Sequence, residues 1–220
     1  MPYYPLYLNL ENRRCVVVGG GEVAQRKVER LVECGARVSV VARFLTPGLE
    51  VMRKRAQIEH IDDEYRCEYI EGAVLVIGAT DREDVNERIF KDGHARGFLI
   101  NIVDNPPLCN CIVPSLFQRG DLAVAISTGG KSPALARRIR EEIEGCYGNE
   151  YAILLAIMGE LRCRILSRGM PSEKNRAFFE ALLDSDILGL IKREDWHGVD
   201  KAISECTGEK IDLTDITQRL

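Results

Sequence analysis

Three short runs hold the residues whose types and spacing could do chemistry. Gly19-Gly20-Gly21-Glu22-Val23-Ala24 is a G-x-G-x-x-A pattern that follows the apolar stretch RCVVVG (14–19) and opens a helical pattern. Glycine suits such a turn because the bend is tight and the backbone must approach a pyrophosphate closely. The helix start behind it supplies N–H donors and the positive end of a dipole. The turn reads as a dinucleotide site, the plainer alternative being a tight strand-to-helix turn. Asp104 ends the apolar run FLINIVD (98–104), and Asn105, Pro106 and Pro107 follow it. A carboxylate there can accept a proton while a substrate gives hydride to a nicotinamide, with the prolines as a stiff lip. An aspartate that merely starts a proline loop is the alternative. STGGKSP (127–133) gathers two glycines, Lys131 and a helix start at Ser132-Pro133, a combination suited to anions.

These residues need a scaffold that brings strand ends together. Strand signals fall at 14–19, 37–42, weakly at 57–61, and at 73–80, 98–104 and 122–127. Ala24, Val28, Leu31 and Val32 mark a first helix ending near Gly35, and a polar helix is expected over 83–95. This alternation predicts an α/β fold, a Rossmann-like doubly wound, mostly parallel sheet with helices on both faces. Ligands of such sheets bind outside the carboxyl ends of the strands, so Gly19, Arg43, Thr80 and Asp104 should meet in one crevice. No acid ends the second strand, where one would grip the ribose hydroxyls; Ala42, Arg43 and Phe44 stand there. Arg43 could favour a 2′-phosphate, and so NADP, or be a solvated loop charge, and the residues leave that choice open. From Ser132 onwards the pattern is helical. Leu135, Ala136, Ile139 and Ile143 stripe one helix, which EGCYGNE (144–150) breaks, and further helices are expected over 150–168 and 172–184. Ile153, Leu154, Ile157, Met158, Leu161 and Ile165 should form a buried face.

Composition bounds the function. With 220 residues, 45% of them hydrophobic and 29% charged, the chain fits one large or two modest globular domains. A net charge of −4 argues against a nucleic-acid partner. No apolar run approaches the ~18 residues of a membrane span, and the start lacks a signal peptide's charged region, so a cytoplasmic protein with reduced thiols is expected. The eight cysteines include no CxxC pair, and no metal site is expected. Cys109 and Cys111 could share one face as a soft-metal or redox pair, or be two small residues flanking a turn. The three histidines, His60, His94 and His197, do not fall at ligand spacing.

VVVGGGEVAQRK (16–27), GATD (78–81), NIVDNPPLCNCIVPS (101–115) and ISTGGKSPALARRIRE (126–141) occur here in that order. Together they resemble the precorrin-2 dehydrogenase family, the dehydrogenase and often ferrochelatase module of sirohaem synthesis, through about residue 145 and more loosely beyond. The resemblance implies oxidation of precorrin-2 to sirohydrochlorin by NAD in a homodimer, with ferrous iron a further substrate in some members. It implies Asp104 as the catalytic residue and cofactor contacts at Gly21, Glu22, Val23, Arg43 and Phe44, joining Gly19, Gly20 and Thr80. It also favours NAD over NADP. Substrate contacts are expected at Asn101, Thr128, Lys131 and Ser132, since precorrin-2 carries eight carboxylates. The expected division is 1–113 for the NAD-binding domain, 114–147 for dimerisation and substrate binding, and 148–220 for a helical module, in the stand-alone form without a methyltransferase domain. The rival reading is an NAD-sensing regulatory module without catalysis; a ferrochelatase that has lost dehydrogenation is a second.

Overall fold

The computed structural model describes residues 3–168, 172–214 and 216. It divides into two compact units between Val113 and Pro114. The first unit contains β1 (Arg14–Val18), α1 (Glu22–Glu33), β2 (Arg37–Val41), α2 (Pro47–Lys54), β3 (Ile58–Ile61), β4 (Leu75–Gly78), α3 (Glu83–Ala95) and β5 (Leu99–Ile102). Its five strands form one parallel sheet in the order β3-β2-β1-β4-β5. The order reverses between β1 and β4, which creates the crevice in which such sheets hold ligands.

Burial explains why these segments become strands. Val16 to Val18, Val38 to Val41 and Leu75 to Gly78 are buried throughout, as the covered centre of a parallel sheet requires. Successive side chains of β1 serve opposite faces. Cys15 and Val17 pack with Ala24, Val28 and Leu31 of α1 and Leu49 of α2, while Val16 and Val18 pack with Val85 and Ile89 of α3. Helix α2 is absent from the sequence reading. Its Pro47-Gly48 start resembles a turn, yet the Thr46 hydroxyl caps it by accepting from the Leu49 N–H, and proline fits a first helical position.

The second unit corrects the expectation of a sixth sheet strand. The run at 122–127 forms β7 (Leu122–Ile126), which pairs antiparallel with the unforeseen β6 (Ser115–Arg119) in a separate hairpin. The two-residue link begins at Gly120 with φ 52°, a conformation that matches hairpin twist. Among the described residues five helices follow: α4 (Pro133–Cys146), α5 (Asn149–Ser167), α6 (Ser172–Asp184), α7 (Ile187–Lys192) and α8 (Trp196–Thr207). Leu154, Ile157, Leu161 and Ile165 of α5 build a core with Leu182, Ile187, Ile191, Val199 and Ile203, and Ile153 and Met158 sit at its edge. The stripe expected on α4 is largely uncovered: Ala136 is buried, Ile139 and Ile143 are half-buried, and Leu135 is 50% exposed. Among the described residues no helix is long and apolar enough to cross a membrane.

Candidate functional site

The loops leaving β1, β2, β4 and β5 are stitched side by side by backbone hydrogen bonds. Gly19 N–H donates to Val41 O (2.9 Å), Thr46 N–H to Gly20 O (3.0 Å), Ala79 N–H to Val18 O (2.8 Å) and Val103 N–H to Gly78 O (2.9 Å). Three glycines occupy this junction for different reasons. Gly19 has φ +125°, and a Cβ there would lie 2.2 Å from Ala79 O; one on Gly20 would lie 1.8 Å from Phe44 O. Gly21 has an ordinary φ of −84°, and a Cβ on it would meet nothing within 4 Å. Neighbouring backbone therefore demands the first two glycines, while the third leaves open room at the start of α1, which no side chain caps. That room, facing free helix N–H groups, fits a diphosphate.

A cavity of about 910 Å³ lies over the strand ends. Gly19, Gly20, Gly21, Glu22, Val23, Arg43, Phe44, Thr80 and Asp104 all line it, and Gly19, Arg43, Thr80 and Asp104 among them are the four strand ends expected to share one crevice. Phe44 stands 86% exposed and presents a bare ring. The Thr80 hydroxyl accepts from Arg82 N–H (3.1 Å), and Asn86 Nδ2 donates to Thr80 O (2.9 Å), which fixes the loop after β4. Asn101 does not line the cavity. Its Nδ2 donates to Cys111 O (3.2 Å), so it fastens the chain returning along β5.

Asp104 sits just past β5 at φ 57°, in the left-handed region that aspartate tolerates better than most residues. Its side chain is exposed, and the chain around it is held on both sides. Asn105 N–H donates to Ile102 O (3.3 Å), and Pro106–Leu108 make one 3₁₀ turn. The chain then runs back along the open edge of β5. Asn110 Oδ1 accepts from Ile100 N–H (2.7 Å) and its Nδ2 donates to Phe98 O (2.7 Å). The Cys109 sulfur accepts from Ile102 N–H (3.2 Å), and its S–H faces the carbonyls of Ile102 and Asn105 (3.2 and 3.3 Å). Burial pushes both thiols up, Cys111 to about 11, so these cysteines cover a strand edge as neutral groups. Among the described residues no group of three or more His, Cys, Asp or Glu could hold a metal ion.

Two further charged residues stand at or near the cavity, Lys27 and Asp63, and neither is among the expected site residues. Lys27 is half-buried one helical turn beyond Val23. Burial and neighbouring Arg26 push its pKa down, while the Asp104 carboxylate pulls it up, so the ammonium lies in Asp104's field. Asp63, just past β3, lines the cavity and accepts from the Tyr69 hydroxyl (2.5 Å), Arg66 (2.9 Å) and Arg43 (3.1 Å). The Tyr69 hydrogen bond, a second from Glu64 N–H and the two guanidinium groups hold this carboxyl below its usual range. The acid expected at the end of β2 is missing there, and Asp63 stands after the neighbouring strand instead. The signal that could have found Asp63 is the weak strand 57–61: β3 lies beside β2 with Ile61 opposite Val41, so the residues after both strands share one edge.

The histidines have structural partners or none that point to chemistry. His60 Nε2 bonds Ala42 O (2.8 Å), and His94 stacks on Phe90 with centroids 5.4 Å apart. In the second unit, Thr128, Lys131 and Ser132 gather at the start of α4. The Thr128 hydroxyl bridges the N–H and C=O of Ser132 (both 3.1 Å), and the Ser132 hydroxyl caps the helix by accepting from Leu135 N–H (3.2 Å). Gly129 and Gly130 take left-handed conformations, φ 63° and 80°, that turn the chain into the helix. Both hydroxyls are thus committed to the loop, while Lys131 is exposed. Arg137 and Arg138 pair along the helix with Glu141 (2.8 Å) and Glu142 (3.2 Å).

A family model described as putative NAD(P)-binding matches residues 6–115, and one described as sirohaem biosynthesis protein central matches residues 119–145. Siroheme synthase 1 of Aeromonas salmonicida is 38% identical over 189 residues, and siroheme synthase of Thioalkalivibrio sulfidiphilus 40% over 197. The matches take in 86% and 89% of this chain but 40% of each relative, so the chain spans about two fifths of their length. The solved structure of SirC, precorrin-2 dehydrogenase, superposes with a TM-score of 0.75 at 26% identity, covering 90% of this chain and 100% of that one.

Proposed function

The chain belongs to the sirohaem biosynthesis family of NAD(P)-binding proteins, and we propose that it oxidises precorrin-2 to sirohydrochlorin with NAD. The observation that carries this reading is the meeting of an open glycine cradle and an exposed, backbone-pinned carboxylate, Asp104, on one cavity. Loss of two hydrogens from the substrate leaves as one hydride and one proton. NAD, when bound, supplies the hydride acceptor. The chain supplies the rest. Gly21 gives the diphosphate room against the first N–H groups of α1, next to Glu22 and Val23. The Phe44 ring offers a face on which a purine can stack, and Thr80 lines the same cavity after β4. Asp104 takes the proton, which then passes to solvent, so that each turnover yields sirohydrochlorin, NADH and H⁺.

The anionic substrate also needs cations. The exposed Lys131 at the start of α4, with the glycines before it, is the chain's second contribution, while Thr128 and Ser132 shape the loop that presents it. The largely uncovered stripe Leu135, Ile139 and Ile143 supports a homodimer formed through α4 and the hairpin. The test is anaerobic incubation of precorrin-2 with the protein and NAD, without metal, followed by absorbance. Sirohydrochlorin should grow with one NADH per molecule. No oxidation by folded, NAD-binding protein would overturn the proposal and leave the NAD-sensing module.

A further inference from the structure

The family position that usually reads the adenosine ribose holds Arg43, a residue whose free guanidinium would welcome a 2′-phosphate. Arg43 is not free. One terminal nitrogen pairs with Asp63 at 3.1 Å and the other donates to Asp62 O at 3.4 Å. Asp63 is the better held of the two, its side chain 18% exposed against 55% for Arg43. Tyr69 and Arg66 clamp its other oxygen, at 2.5 and 2.9 Å. Asp62 and Glu64 flank it in the chain, and Glu64 lines the cavity beside it, so two carboxylates after β3 face the same space as the loop after β2.

We propose that Asp63 is the residue that makes the cofactor site choose NAD over NADP, by holding Arg43 and placing a fixed negative charge where a 2′-phosphate would come. This deepens the NAD-dependent reading above and rests on it. The carboxylate that the end of β2 lacks is supplied by the neighbouring strand. A 2′-phosphate would have to break the Arg43–Asp63 pair and then lie against Asp63, whereas a 2′-hydroxyl carries no charge to repel and can donate to it. Because the Tyr69 hydroxyl and the Glu64 N–H keep the Asp63 carboxyl ionised, this discrimination persists across neutral pH.

The test compares dissociation constants of NAD and NADP, by calorimetry on the full chain, for the native protein, Asp63→Asn, and Asp63→Asn with Arg43→Leu. The native protein should bind NAD at least tenfold more tightly than NADP. Asp63→Asn should narrow that ratio at least tenfold, chiefly by tightening NADP, and adding Arg43→Leu should remove the gain. Asp63→Ser, a smaller neutral replacement, must behave like Asp63→Asn and serves if the amide variant fails to fold. An unchanged ratio in a folded Asp63 variant, or a native preference for NADP, overturns the inference. These constants need no turnover. Failure to oxidise precorrin-2 would sink the proposed reaction while leaving an Asp63-dependent preference intact.

Discussion

Gly20 and Gly21 are neighbours that must be glycine for opposite reasons, and that difference is measurable. Gly20→Ala drives a Cβ to 1.8 Å from a backbone oxygen, so it should cost about 1–3 kcal/mol of stability in urea unfolding. Gly21→Ala has space and an ordinary φ, so stability should stay within about 0.5 kcal/mol. Its methyl would fill the cradle, and NAD affinity should fall about tenfold or more. If Gly21→Ala binds NAD like the native protein, the third glycine does not face the cofactor. The motif was legible here because its chemistry is local: six consecutive residues after a strand. Asp104 was legible likewise, as a carboxylate ending an apolar run. Asp63 was not, because its meaning comes from which strand lies beside β2, and nothing in IEHIDD alone says so.

At the scale of elements, the segment after Asp104 is a strap along β5. The prolines turn the chain back, and Asn110 ties it to Phe98 and Ile100 through two side-chain hydrogen bonds of 2.7 Å each. Asn110→Ala should cost about 1–3 kcal/mol, since both backbone partners lose a bond. It should also lower turnover more than NAD affinity, because the strap begins at Asp104 and holds it in place, while the glycine cradle lies elsewhere. A stability change below about 0.5 kcal/mol in chemical denaturation would show that the strap holds without it. The strap itself was hidden in the sequence, where Cys109-Asn110-Cys111 suggested soft-metal chemistry as readily as packing. Strands β1, β2 and β4 were readable because burial on both faces makes them continuous apolar runs, whereas β3, IEHI at the sheet edge, gave only a weak signal. Strand β6 escaped because SLFQR is short and mixed, and only pairing with β7 makes it a strand.

At the scale of the molecule, every residue proposed to hold NAD, and Asp104 with them, falls in the first unit, which has its own two clusters of buried side chains. A chain of residues 1–113 should therefore fold and bind NAD within about threefold of the full protein, yet oxidise no precorrin-2, because Lys131 and the α4 loop, which we propose hold the anionic substrate, lie in the second unit. Circular dichroism, NAD titration and the turnover assay check the three parts. Stability should also depend on alkaline pH with a definite sign. The thiols of Cys15 and Cys111 ionise near 9.0 when unfolded but are pushed to about 11 by burial in the folded protein. The folded state binds more protons between those values, so stability should hold below pH 9 and fall from about 9 to 11, and Cys111→Ala should flatten part of that fall in thermal unfolding scans. The measurement that bears most directly on the whole account sets the native protein beside Asp104→Ala, anaerobically, with precorrin-2 and saturating NAD. The native protein should convert precorrin-2 to sirohydrochlorin with matching NADH, and Asp104→Ala should keep its fold and NAD binding while losing about 10²–10⁴-fold in rate. Equal rates in the two proteins would contradict the role of Asp104, and no NADH from either would contradict the reaction.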